Sequence, residues 1–258
     1  MYVMKLYVFN GRKLLVCLLL LAAACLLIFL PVYREELAAV FAAKREIPVY
    51  SVDTEENLTA LTFDCAWGAD DIPQILDTLK EADVKATFFM VGQWAEKNPE
   101  MVRAMAMEGH DTANHSYSHF RMGSLDREMQ SSEIKKCGDV IEKLSGRKCD
   151  LFRAPYGDYN NSLLQEARKL GYYTIQWDVD SLDWKPGISR DEIKQRIRSK
   201  VRKGSIILFH NDTPHTAKLL PEIIEELQSG GYKLVPVSQL ILREDYIIDH
   251  EGRQKKNT

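Results

Sequence analysis

The stretch Leu58-Thr59-Ala60-Leu61-Thr62-Phe63-Asp64 decides the fold. Apolar and β-branched residues run into a carboxylate, the pattern of a buried strand that delivers an acid at its C-terminal end. Ile72, Ile75, Leu76 and Leu79 follow at helical spacing. Outward from this unit the alternation repeats. Strands are expected at Ala86–Met90, Asp111–Asn114, Leu151–Arg153, Tyr173–Trp177, Ser205–Phe209 and Lys233–Val235. Helical spacing recurs in Leu163, Leu164, Ala167 and Leu170, and in Leu219, Leu220, Ile223, Ile224 and Leu227. Gly109, Gly146, Gly171 and Gly230-Gly231 fall where helices should stop. Repeated strand–helix alternation predicts a parallel sheet with outer helices, and about seven units suffice to close an α/β barrel.

In such a barrel the functional groups belong at the C-terminal strand ends. Asp64 follows the first strand, His115 and His119 the third, Arg153-Ala154-Pro155-Tyr156-Gly157 the fourth, Asp180 to Trp184 the fifth, and His210 the sixth. Taken singly, each has an ordinary reading as a capping or hydrogen-bonded loop residue. Five in order is the less economical coincidence. His115 and His119 are four apart, so a helical turn would face both imidazoles to one side, as metal sites require, with positions left for water and substrate. Asp64 could act as general base on a metal-bound water, with Arg153 keeping it ionised. Asp183 could orient His210 and favour its imidazolium form as a general acid.

The N-terminus reads differently. Leu14 to Leu30 is an unbroken apolar run, preceded by Lys5, Arg12 and Lys13 and ended by Pro31. Seventeen residues span roughly 25 Å of helix, extended to adequate length by Val32 and Tyr33. The positive-inside rule makes 1–13 cytoplasmic, 14–33 an uncleaved signal anchor, and the rest extracytoplasmic: a single-pass cell-membrane protein. A stalk is expected at 34–57, a catalytic domain at 58–243 and a frayed charged tail at 244–258. Net charge is −3; the three basic residues of the first 33 leave 31 basic against 37 acidic beyond them. Such a body has no electrostatic pull toward nucleic acid. Cys65, Cys137 and Cys149 have no CxxC spacing. A Cys137–Cys149 disulfide and two isolated buried thiols both remain open.

Leu61-Thr62-Phe63-Asp64, His115-Ser116-x-x-His119, Arg153-x-Pro155-Tyr156-Gly157, Asp180-Ser181-Leu182-Asp183-Trp184 and Ile207-Leu208-Phe209-His210 resemble the five ordered motifs of the polysaccharide deacetylases. This is the NodB homology domain of carbohydrate esterase family 4. The resemblance covers roughly Asn57 to Leu242, and the first motif is similar to the sporulation-associated, PdaB-like branch. It implies a distorted (β/α)7 barrel and a zinc-type divalent metal, with cobalt or nickel as alternatives. It also implies a hydrolase of carbon–nitrogen bonds other than peptide bonds, acting on a cell-wall glycan. Asp64 would be the base, His115 and His119 metal ligands, and Arg153 the support of Asp64. The Tyr156 backbone N–H would be an oxyanion donor, and His210 the acid oriented by Asp183. Trp184, Leu208 and Pro155 would wall the acetyl pocket.

One departure bears on the metal. The family pattern has two adjacent aspartates in its first motif, the second a ligand, and here position 65 is cysteine. Asp70 is expected to swing back as third ligand, with Asp71, Cys65 or water as alternatives. The topology favours peptidoglycan over chitin or xylan. A non-catalytic glycan-binding protein on the same barrel is the rival reading. A zinc peptidase of the HExxH kind lacks its glutamate motif.

Overall fold

The computed structural model describes Arg12, Leu15, Val16, residues 18–21, Cys25 and residues 45–257. Two compact units are present, Met1–Arg45 and Glu46–Thr258. The described residues of the first unit before Arg45 are helical. Among the described residues no helix is long and apolar enough to cross a membrane. Most of the expected anchor at 14–33, segment 1–13 except Arg12, and stalk residues 34–44 lie outside them.

The second unit alternates strand and helix as expected. Its strands are β1 (Ser51–Val52), β2 (Leu58–Cys65), β3 (Thr87–Met90), β4 (Asp111–Asn114), β5 (Leu151–Phe152), β6 (Tyr173–Thr174), β7 (Val179–Asp180), β8 (Ser205–His210), β9 (Lys233–Leu234), β10 (Tyr246–Ile248) and β11 (Arg253–Lys256). The helices that bear on the site are α1 (Ile72–Glu81), α2 (Gly92–Lys97), α3 (Pro99–Met107), α4 (Arg127–Ser145), α5 (Asn161–Lys169), α6 (Arg190–Lys200) and α7 (Thr216–Ser229). The sheet runs β10-β11-β1-β8-β2-β3-β4-β5-β6. From β8 to β6 every neighbour is parallel. Val49 pairs with Ile175 beyond β6, and Ser51 pairs with Ser205 of β8. Residues 49–52 thus link the two ends of the parallel run, giving a distorted α/β barrel.

Strand alternation sorts the core into two layers, because successive side chains point to opposite faces. Ala60, Phe89, Ala113, Leu151, Ile175 and Ile206 pack together inside the ring. Leu61, Phe63, Cys65, Phe88, Met90, Ile207 and Phe209 face the helices and meet Ile72, Ile75 and Leu79 of α1 and Leu220, Ile223 and Ile224 of α7. Phe63 stacks between Phe88 and Phe209, at 5.0 and 5.7 Å. Each such buried ring contributes about 2–3 kcal/mol. Helix α4, the longest described, starts where Asp126 accepts the Met129 N–H and stops at Gly146, whose φ of +68° suits glycine.

Two boundary expectations need correction. Residues 46–57 are barrel rather than stalk, since Val49 and Val52 are buried and paired. Nor is 244–257 a frayed tail: β10 and β11 form a hairpin, and β11 runs parallel to β1. The charges concealed the strand. Arg253 pairs with Asp53 and Lys255 with Asp249, while Gln254 between them is buried and bonds both backbone groups of Leu242. β11 buries Gln254 alone, and β10 buries none of its residues, so neither follows the apolar alternation of a buried strand. Cys65, Cys137 and Cys149 are buried free thiols, which leaves the Cys137–Cys149 disulfide unformed.

Candidate active site

The two-residue period that builds the inner layer also assembles the site. Asp64 lies four residues past Ala60, His115 two past Ala113, Arg153 two past Leu151, and His210 four past Ile206. Each side chain therefore inherits the inward direction of an inner-core residue. Asp64 and His210 are register partners on the adjacent parallel strands β2 and β8, so their backbones lie about 5 Å apart.

Arg153 is wholly buried. Its Nη1 donates to Asp64 Oδ1 at 2.6 Å and to Thr62 Oγ1 at 3.0 Å, and its Nη2 to the Gln176 carbonyl at 3.2 Å. The guanidinium lies over the Phe89 ring at 3.9 Å. Burial pushes the Asp64 carboxyl up, but the charges of Arg153, His115 and His210 outweigh it, leaving the pKa below the usual 3.8. Asp64 is an anion at neutral pH.

His210 is held by Asp183. Its backbone N–H donates to Asp183 Oδ2 at 2.7 Å, and its Nδ1 sits 2.8 Å from Oδ1. The Thr216 hydroxyl donates to Oδ2 at 2.6 Å. Burial lowers the His210 pKa, but the hydrogen bond and charge of Asp183 dominate and raise it above 6.5. With Nδ1–H committed to Asp183, Nε2–H is the proton available to a ligand.

His115 and His119 form a second cluster. His115 Nδ1 lies 2.9 Å from the Arg153 carbonyl. A carbonyl only accepts, so Nδ1 carries the hydrogen and the neutral ring turns its Nε2 lone pair toward Asp64 Oδ2, 3.5 Å away. The His119 ring is 5.1 Å from that of His115, and its Nδ1 is 3.1 Å from the Tyr156 hydroxyl, which can accept its hydrogen. Burial lowers the pKa of both, that of His119 to about 4. Two neutral imidazoles beside an anionic Asp64, with one tautomer fixed by a carbonyl, fit a divalent cation.

Position 65 supplies no third ligand. Cys65 is out of phase with Asp64, packs against the helix layer, and burial holds its thiol protonated. Asp70, expected to complete the set, is exposed and does not join the histidines. The turn that carries it is pinned elsewhere. Gly68 N–H donates to Asp212, and the Gly68 carbonyl accepts from Trp94 Nε1 and Asn211. Asp71 Oδ2 accepts from the Asp212 N–H at 2.9 Å. Among the described residues no three His, Cys, Asp or Glu side chains surround one metal position.

A carboxylate that sequence reasoning missed shapes the histidine turn. Glu133 of α4 is buried and accepts from the N–H groups of Tyr117 and Ser118, at 3.0 and 2.7 Å, and from the Ser118 hydroxyl. Nothing in an isolated Glu within a polar helix signals this role. Thr62, two residues before Asp64 on the same face, was legible in principle. Pro155 is buried and opens the turn in which Tyr156 takes φ +60°, presenting its ring 55% exposed. Ser116, His119, Leu182 and Asp212, also in loops beyond strand ends, share positive φ. Such strain collects where a site over-determines its backbone. Leu208 is buried two residues before His210 on the inner face, and Trp184 is exposed beside Asp183.

The family model of the polysaccharide deacetylases matches residues 51–175. A Bacillus cereus peptidoglycan-N-acetylglucosamine deacetylase is 32% identical over 74% of this chain and 92% of its own length. The chain belongs to the polysaccharide deacetylase family, and the expected enzyme class is borne out at that level. YlxY of Bacillus subtilis, an uncharacterized protein, is 32% identical over 75% of this chain, which spans 60% of its length. A CE4 family pseudoenzyme from Bacillus anthracis superposes with TM-score 0.73 at 30% identity, over 81% of this chain and 72% of its own. A mutant of that pseudoenzyme has restored enzymatic activity.

Proposed function

We propose that this protein hydrolyses N-acetyl groups of amino sugars in a cell-wall glycan, peptidoglycan before chitin or xylan, at the outer face of the cell membrane. One observation carries the reading: Asp64, held ionised by Arg153, and His210, whose pKa Asp183 raises, stand as register partners on adjacent strands beside two imidazoles. Their partners shift each toward the protonation state that a base and an acid of amide hydrolysis need.

A divalent ion held by His115 and His119, with zinc ahead of cobalt and nickel for these nitrogen donors, would supply Lewis acidity toward the amide oxygen and the attacking water. Asp64 takes the proton from that water as oxygen bonds to the carbonyl carbon. Arg153 keeps Asp64 ionised until then. The Tyr156 N–H donates to the carbonyl oxygen as its charge grows. His210 gives its Nε2 proton to the sugar nitrogen as the C–N bond breaks, leaving acetate and a free amine. Trp184, Leu208 and Pro155 wall the acetyl methyl, and a small apolar slot disfavours longer acyl groups.

The test is acetate release by the full chain in detergent, on peptidoglycan strands and chitin oligomers, metal-stripped and then with zinc restored. Asp64→Asn should cost at least about 10³-fold while leaving fold and bound metal intact. Acetate at an undiminished rate from that variant would overturn the base assignment. Membrane location is supported by the apolar run at 14–30, and recovery of the full chain in the soluble fraction would overturn it. The second reading, a glycan-binding protein without turnover, is favoured by Cys65 facing the core and by likeness to a pseudoenzyme. Zinc-independent glycan binding without acetate would select it.

A further inference from the structure

Beside His119 the mouth opens into a groove of about 580 Å³, lined among others by Trp67, Gln93, Trp94, Lys97, Asn98 and Tyr156. Neither base, acid nor imidazole pair needs most of these residues. Trp94 is a fixed wall, its indole N–H donating to the Gly68 carbonyl at 2.7 Å. Trp67 is 59% exposed and meets the His119 ring edge-on at 5.2 Å. An indole displayed beside a reacting centre is a flat apolar platform with a polar rim, the form that suits the C–H face of a pyranose. Gln93 and Lys97 lie one turn apart on α2, both exposed. Lys97 has no ion-pair partner among the described residues. Glu96 beside it takes the Tyr117 hydroxyl, and Glu100 takes Arg103.

We propose that this groove binds the sugar next to the one deacetylated, and that Lys97 selects a neighbour bearing a carboxylate. The inference rests on the deacetylase reading above and sharpens its substrate class. A peptidoglycan strand alternates a plain amino sugar with one carrying a lactyl ether, whose carboxyl is free once the stem peptide is removed. Chitin carries no such charge. Trp67 and Gln93 would hold either ring, whereas Lys97 gains an ion pair only with the first. A lysine serving only the C-terminal end of α2 would be indifferent to ligand charge.

The experiment titrates the full chain carrying Asp64→Asn, so that ligands are not consumed. The probes are an alternating N-acetylglucosamine–N-acetylmuramic acid tetrasaccharide with free carboxylates, the same compound with its carboxylates amidated, and chitotetraose. The free acid should bind about fivefold to tenfold tighter than the other two, the size of one charge-assisted hydrogen bond at a half-exposed site. That advantage should shrink in about 0.5 M salt, vanish with Lys97→Met and survive Lys97→Arg. Trp67→Ala should weaken all three alike. Both side chains are exposed, so the core is untouched by either change. Equal affinity for the three probes, or an advantage that persists in Lys97→Met, overturns the proposal. Acetate release by the Asp64 form separates the two readings. Carboxylate preference without acetate sinks the deacetylase reading and keeps the subsite. Acetate without carboxylate preference does the reverse.

Discussion

The mouth of the barrel has two halves built to different completeness. On one side Asp64, Arg153, His210, Asp183 and Thr216 form an acid–base array in which each charge has a partner at 2.6–2.8 Å. On the other, His115 and His119 stand as two neutral imidazoles with no third His, Cys, Asp or Glu side chain completing a cluster among the described residues, Cys65 facing the helix layer and Asp70 the solvent. The first half is locked by strand ladders and buried charges. The second hangs on a turn held from outside by Glu133. The Asp64–His210 half is therefore over-determined, while the imidazole pair depends on two residues and their supports.

The strongest way to break the complete half is Arg153→Met. It leaves Asp64 buried without its cation, which should cost about 3–5 kcal/mol in denaturant unfolding. The Asp64 pKa would rise with it, moving the acid limb of the rate profile toward neutrality. An unfolding free energy within 1 kcal/mol of the parent (about the error of the measurement) would show that the pair is not what holds the site.

A milder cut, Asp183→Asn, tests the other partner. The folded His210 pKa is raised above its ordinary value of 6.5. Its pairing therefore contributes stability that is full below about pH 6.5 and lost as pH rises through the raised pKa. The alkaline limb of activity should follow the same titration. Removing Asp183's charge should move that limb toward acid by about one pH unit, roughly tenfold in rate on the alkaline side. An unmoved limb would assign the acid to another group.

The smallest effect sharpens the incomplete half. Cys65→Ala removes one buried sulfur from the helix-facing layer, so stability should fall by about 1–2 kcal/mol while zinc content and affinity stay unchanged. A loss of bound zinc in equilibrium dialysis would place the thiol among the ligands.

Much of this was legible beforehand, and for a physical reason. The seven expected strands all exist near their anticipated positions, because short segments with apolar, β-branched or aromatic residues alternate with helical-spaced stretches and turn signals. Asp64, His115, Arg153 and His210 were found by a rule of position, namely that strand ends face one mouth. Asp70 failed because five residues of intervening chain can lead anywhere, and the bonds Gly68 gives to Asp212 and takes from Trp94 and Asn211 settled where they went. Strand β11 failed because its charges alternate with a single buried glutamine.

By itself the sequence determined the alternation of elements and the inward phase of Asp64, His115, Arg153 and His210, since both are set by local spacing along the chain, while its motifs carried the family resemblance. Only the tertiary structure decided which charges meet. Arg153 finds Asp64 across 89 residues, and Asp183 finds His210 across 27. Glu133 reaches the histidine turn from a different helix. Cys65 turns away from its neighbour because a strand cannot point two consecutive side chains to the same face.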